Sequence, residues 1–365
     1  MRRISDFGLR IADLVAAGVL ATAAASAQEP EYFKAPKAKP RVTFRWDALA
    51  RYDRITHLRV LADIERGRFE FRPEVAFEVS DRFKIAARAI GSLGTDENEE
   101  NARNFDNYRS NGAALERYYL EARPGAWTIR AGSFGMPLAA SEMLWDRDIQ
   151  TPGAAISFTA PAGTSSLTFA GAGFYGPQRE GDRSRIGAGQ VLWRWDADPL
   201  GLEAAASYWH FEIEDLKPHY VRQNSFVVRD GKRELASDFR IVDALVRFRF
   251  LAAGLPVLVS LDGAHNFGAQ GDEKSAFEGS LTIGRVGSPG QWRAFYTYQY
   301  VERDALVGAY NTDDWWFHSR YRGHRVGVAV TLLPSVFAQG AVVFQRRLDL
   351  KSTLNRVTVD LVKIF

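Results

Sequence analysis

Within the stretch 135–153 the chain gathers Glu142, Asp146, Arg147 and Asp148, between Gly135-Met136-Pro137 and Pro152-Gly153. Carboxylates and a guanidinium at this spacing are not a nucleophile with its base. They are fixed charges, and held over a water-filled passage they would sort solutes by charge and size through a transverse field. The same four side chains could instead pin the loop to a wall by salt bridges, and both roles are compatible. Other chemistry has little to rest on. There is no cysteine, no Gly-x-Ser-x-Gly elbow, no His-Glu-x-x-His and no phosphate-cradling glycine loop. The six histidines show no metal-ligand spacing, so no cofactor, metal or catalytic residue is expected. His318 and Ser319, read as neighbours on a strand, would point to opposite faces and could not form a dyad.

Elements that could hold such a loop are legible from period-2 patterning. Sixteen strands are expected at about 41–50, 69–80, 83–93, 115–123, 126–134, 154–160, 165–176, 187–197, 202–213, 238–251, 256–268, 274–287, 291–303, 316–333, 336–348 and 353–365. In 69–79, Phe69, Phe71, Val75, Phe77 and Val79 share one face while Glu70, Arg72, Glu74 and Glu78 share the other. The segment 240–250 divides in the same way, Val242, Ala244, Val246 and Phe248 against Asp243, Arg247 and Arg249. Connections alternate in length: Asp81-Arg82, Pro124-Gly125 and Pro334-Ser335 are tight, whereas 94–114, 135–153, 214–237 and 304–315 are long and polar. Short turns on one rim and long loops on the other are the layout of an all-β, antiparallel transmembrane barrel with periplasmic turns and outer loops. A β-sandwich has no reason to keep that alternation.

A spanning strand points apolar side chains at lipid and leaves its reverse face to water. On that basis Arg88, Arg130, Arg194, Arg247, Arg249, Arg293, Arg320 and Arg322 are expected to line the lumen, and together with Arg45, Lys84, Arg117 and Arg347 they slightly outnumber the inward acidic residues, giving a weak lean towards anions. The acidic run Asp96-Glu97-Asn98-Glu99-Glu100 would oppose anions at the mouth. In 316–333, His318, Arg320, Arg322 and His324 share parity with Val326, Val328 and Val330. A bulge near Gly323–Arg325 is therefore expected, to turn four basic residues away from lipid.

The ends and the composition agree with export to a membrane. Arg2, Arg3 and Arg10 precede the apolar run Ile11–Ala24 and an Ala25-Ser26-Ala27 cleavage pattern, so residues 1–27 read as a signal peptide. The Lys/Pro-rich residues 28–40 read as a flexible periplasmic lead, and 41–365 as the barrel. No later window has the 18 apolar residues of a membrane helix, leaving closed strands as the only way to span. The net charge of +3 is too balanced for a nucleic-acid partner. A mean hydropathy of −0.23 suits a barrel in which every second residue meets water.

Three features resemble the bacterial outer-membrane porin family, close in style to phosphate-selective porins. They are the step Arg130-Ala131-Gly132-Ser133-Phe134-Gly135-Met136-Pro137, the core Trp145-Asp146-Arg147-Asp148 and the closing Pro152-Gly153. The terminal strand ending in Phe365 resembles the outer-membrane assembly signature. The resemblance implies an outer-membrane location after export, contact with outer-membrane lipid and recognition by the barrel-assembly machinery through that strand. It also implies passage of small hydrophilic solutes or ions through a lumen narrowed by loop 135–153, and assembly as a homo-oligomer. The alternative is a structural or partner-binding barrel plugged by its own loops, with 94–114 and 214–237 as binding surfaces.

Overall fold

The computed structural model describes residues 41–56, 63–95, 112–176, 184–213, 224–350 and 353–364. The expected signal peptide, the lead, the acidic run 96–100 and Phe365 lie outside the described residues.

Alternation dictates the architecture. The strands are β1 (Arg41–Thr56), β2 (Ile64–Ser80), β3 (Phe83–Gly94), β4 (Gly112–Ala122), β5 (Trp127–Gly135), β6 (Gln150–Ala162), β7 (Ser165–Tyr175), β8 (Arg185–Ala197) and β9 (Leu200–Glu212). After a small hairpin of β10 (Phe226–Arg229) and β11 (Lys232–Leu235), β12 (Phe239–Ala252), β13 (Leu255–Asn266), β14 (Ser275–Gly284), β15 (Trp292–Val301), β16 (Tyr321–Leu333), β17 (Val336–Arg347) and β18 (Thr353–Lys363) follow. Every strand but the hairpin pair joins one closed barrel of neighbouring antiparallel strands, and β1 pairs with β18 from Ala48↔Lys363 to Thr56↔Asn355. Sixteen barrel strands are therefore present, as the patterning indicates. The hairpin in the loop after β9 was not anticipated.

The exterior carries the exposed apolar side chains: Phe69, Phe71, Val75 and Phe77 on β2, Val242, Val246 and Phe248 on β12, Val357, Val359 and Leu361 on β18. Their alternates Glu70, Asp243, Asp262, Arg356 and Asp360 are buried inside. This is the inverse of a soluble core and suits a chain solvated by hydrocarbon. One rim has two-residue links such as Asp81-Arg82 and Ala253-Gly254, where positive φ values at Ala253 and Gly254 match a tight hairpin turn. The other rim has the long connections, including 136–149, 213–238 and 302–320.

Two expectations are corrected. The first two strands run further than their apolar pattern indicates, because Asp53 and Arg66, which resemble loop residues, form a buried pair at 2.9 Å on the inner face. The strand expected at 316–333 begins only at Tyr321, and its register is uninterrupted until Thr331/Leu333, so no bulge lies at 323–325.

Candidate functional site

Gly135 closes β5, and Pro137, which has no N–H to give a ladder, sends the chain into the barrel instead of above it. The loop 136–149 is then tied down in sequence. The amide side chain of Gln190 on β8 accepts from Ala139 N at 2.9 Å and donates to Ala139 O at 2.7 Å. Arg247 Nη2 on β12 donates to Ala140 O at 2.9 Å. Met143 and Leu144 are buried, and Trp145 stacks against Trp209 (5.9 Å) and Tyr310 (5.0 Å), each at 23°. Asp146 then turns the chain: its Oδ1 accepts from Asp148 N (2.9 Å) and its Oδ2 from Asp313 N (3.1 Å), while Asp146 N donates to Tyr310 O (2.8 Å).

Tyr310 and Asp313 belong to a second inward loop, 302–320. Asn224 Nδ2 donates to Arg303 O and Leu306 O, and Asn224 Oδ1 accepts from Gly308 N. Asp314 is held by Arg51 at 3.2 Å and Arg325 at 2.6 Å. Gln345 Oε1 accepts from Trp316 N and Phe317 N. The two loops bury Met143, Trp145, Ala305, Leu306, Val307 and Tyr310 against Phe174, Trp209, Phe211, Phe239 and Ile241 of the barrel wall, an apolar core inside the lumen.

The four loop charges are thus divided. Asp146 is buried and spends both oxygens on backbone N–H groups, so it pins the loop. Arg147 (side chain 74% exposed) pairs with Glu142 at 3.0 Å, and Asp148 (41% exposed) accepts from Arg72 Nη1 at 3.3 Å. Glu142 and Asp148 hold the Arg147 guanidinium well above its ordinary pKa, Glu142 most strongly. For Asp148, partial desolvation opposes ionisation, but Arg72 and then Arg147 outweigh it, and its pKa lies below the ordinary carboxylate range. Asp314 is lowered further, with Arg325 and Arg51 overcoming burial.

The walls around this eyelet differ. β2, β3 and β4 sit half a circumference from β12, β13 and β14 in the closed strand order. The first group brings Arg72 and Arg88 to Glu70 and Glu116, with Arg72–Glu70 at 2.8 Å and Arg72–Glu116 at 3.6 Å. The second carries Asp243, Asp262 and Glu278, all buried. Ser207 and Gln299 donate to Asp243 and Glu278.

Most of the basic residues expected in the lumen point inward. Arg130 meets Glu121, Arg194 and Arg247 share Glu203, Arg249 meets Asp196 at 2.7 Å, and Arg293 donates to Gln339 at 2.8 Å. Two do not line the lumen. Arg320 precedes β16 and pairs with Glu273 and Asp349 at the loop rim. Arg322 is exposed on the outer face with Val326, Val328 and Val330, because β16 has no face switch there. The inward guanidinium of β16 is instead Arg325, which pairs with Asp314. Glu116 was also missed: a register shift at Arg88/Ala89 lets both Glu116 and Arg117 reach inward, Arg117 to Gln150 Oε1 at 3.0 Å. His318 and Ser319 lie in the second loop and not on a strand, and His318 Nδ1 bonds Asn311 Oδ1 at 2.7 Å.

A closed sixteen-stranded barrel with apolar exterior, charged interior and an inward loop after its fifth strand defines a transmembrane barrel of the porin type. Solved structures agree on the fold. OprB of Pseudomonas putida is similar with a TM-score of 0.62 at 10% identity, over 89% of this chain and 94% of that one. A loop-L8 deletion mutant of OmpT, an outer membrane protein of Vibrio cholerae, gives 0.53 at 9% identity over 89% and 99%. The anion-selective porin from Comamonas acidovorans gives 0.51 at 13% identity over 90% and 100%. No protein-family model matches the sequence, and no curated protein does.

Proposed function

We propose that the protein is an outer-membrane porin that lets small hydrophilic solutes or ions diffuse through a lumen narrowed by loops 136–149 and 302–320. The observation that carries this is the exposure of Arg147 and Asp148 inside the barrel, on a loop whose Leu138, Met143, Leu144, Trp145 and Asp146 are buried. Such a loop presents charge to a passage and not to a sealed core. The passage would run between the arginine-rich side of β2–β4 and the loop, since the apolar core fills the side towards β7–β9 and β12–β16. Export by the segment 1–27, assembly through the strand ending in Phe365 and association as a homo-oligomer belong to the same reading.

The apolar core inside the barrel specifically favours a second reading, a structural barrel plugged by its loops. Planar-bilayer recording of the pure full-length protein decides between them. Stepwise ion conductance is expected, smaller than that of an unobstructed sixteen-stranded pore. Absence of conductance from protein shown by circular dichroism to be strand-rich would reject the porin and leave the plug.

A further inference from the structure

Arg322 and Arg346 stand directly opposite each other on β16 and β17. Both face out of the barrel, Arg322 in line with Val326 and Val328, Arg346 in line with Phe344. Like charges directly opposite on a strand pair repel, and nearby hydrocarbon weakens the screening that would relieve them. Neighbouring carboxylates do not help. Glu302 accepts from Tyr300 Oη and from Lys274 N and Ser275 N; Glu273 serves Arg303 and Arg320; Asp349 serves Arg320 and Arg347. Among the described residues neither guanidinium meets a carboxylate, and Arg346 donates only through Nε, to Leu350 O at 3.1 Å.

The surroundings show what would sit there. Tyr300 extends the row on β15, and the next outward row holds Tyr298, His324 and Phe344. Tyr296 Oη bonds His324 Nδ1 at 2.8 Å. Below these come Val326, Val328, Val330 and Val342, so an apolar wall gives way to aromatic rings and then to two cations within four residues of strand. That is the order of a membrane–water interface, where aromatics mark the boundary and lipid phosphates lie just above it. Guanidinium groups bind phosphate oxygens in bidentate fashion.

We propose that Arg322 and Arg346 together bind the headgroup phosphate of an anionic membrane lipid on the leaflet facing the long loops. The inference rests on the transmembrane orientation of the reading above and adds a ligand on the outside of the wall.

The test is native mass spectrometry of the full-length protein in detergent, titrated with phosphatidylglycerol, with diacylglycerol lacking a phosphate, or with inorganic phosphate. Retention of phosphatidylglycerol is expected, weakened about fivefold by Arg322→Gln and about thirtyfold by Arg322→Gln with Arg346→Gln. Arg322→Glu, which can form a cross-strand pair with Arg346, should keep the fold and lose the lipid, covering the case in which the double variant does not fold. Unchanged retention in Arg322→Glu, or equal retention of diacylglycerol, overturns the proposal. Inorganic phosphate binding as tightly as phosphatidylglycerol overturns the lipid as its source. Wild-type bilayer conductance is recorded in parallel: lipid retention without conductance removes the pore and leaves this site.

Discussion

Asp146 and Asp148 are two residues apart in sequence and do different work, because one is buried against backbone donors and the other is partly exposed and bonded directly to Arg72. Replacing Asp148 by Asn removes a charge at the eyelet and weakens the contact to Arg72. Cation permeability should fall relative to anion permeability in reversal-potential measurements, and the shift should shrink at high salt as the field is screened. Replacing Asp146 by Asn places an N–H2 where two N–H donors converge, leaving at least one of them unpaired at a cost of about 1–3 kcal/mol. That variant should show noisier current with little change of selectivity. The pH dependence follows from the lowered pKa of Asp148. Its ionised form, with the contact to Arg72 that ties the loop to the wall, is fully present above the ordinary carboxylate pKa of about 3.9. That contribution is lost as pH falls through the lower value of the folded protein. Selectivity should therefore hold from pH 7 to 5 and shift only below about pH 4. A shift centred near pH 6 would assign the effect to another group.

At the scale of elements, the inward loop depends on Trp145 being sandwiched between a wall residue and the second loop. Trp145→Ala removes the largest apolar contact that the first loop makes, at a cost of about 3–5 kcal/mol if the void does not collapse. The barrel strands do not rely on it, so circular dichroism should stay strand-dominated while conductance rises and becomes unsteady. Unchanged conductance would mean that the second loop alone sets the passage. β16 offers a separate check on facing. A cysteine-reactive, membrane-impermeant cation added from the aqueous phase should block current in Arg325→Cys, whose side chain points inward, and not in Arg322→Cys. The reverse result would restore the bulge.

For the molecule as a whole, the inner face is an ion-pair lattice. Arg356 spans to Asp53 at 3.0 Å and to Asp313 O, while Asp53 also takes Arg66 and Asp360 takes Arg51 at 2.8 Å. These contacts join β1, β2 and β18 across the seam where the first and last strands meet, and they reach the second loop. Removing Arg356 leaves Asp53 to Arg66 and takes one donor from Asp313 O, a loss of up to about 3–5 kcal/mol for a buried pair. Arg356→Met should therefore lower the temperature at which the folded barrel is lost in detergent electrophoresis, more than Arg249→Met at the exposed short-turn rim. Equal shifts would show that water screens the seam as it screens the rim.

The sequence by itself determined the barrel. Apolar and charged residues alternate on Phe69–Val79 and Val242–Phe248 because each strand separates lipid from the interior, and tight turns alternate with long loops because only one rim carries the extra chain. It also determined that loop 135–153 is charged and follows the fifth strand. Tertiary structure decided which charge does what. Asp53 and Arg66 read as loop residues because their partners are three hundred residues away or on the next strand, and no local pattern encodes a buried pair. Glu116 and Arg117 share a side through a register shift with β3, while Arg322 faces outward through the absence of one. Whether adjacent residues alternate or not is settled by pairing with the neighbouring strand, and the in-folding of 302–320 by contacts with Asn224, Arg51, Arg325 and Gln345 on distant elements. Local propensity carries the period of a strand, but the phase of that period is set by the neighbours it must fit.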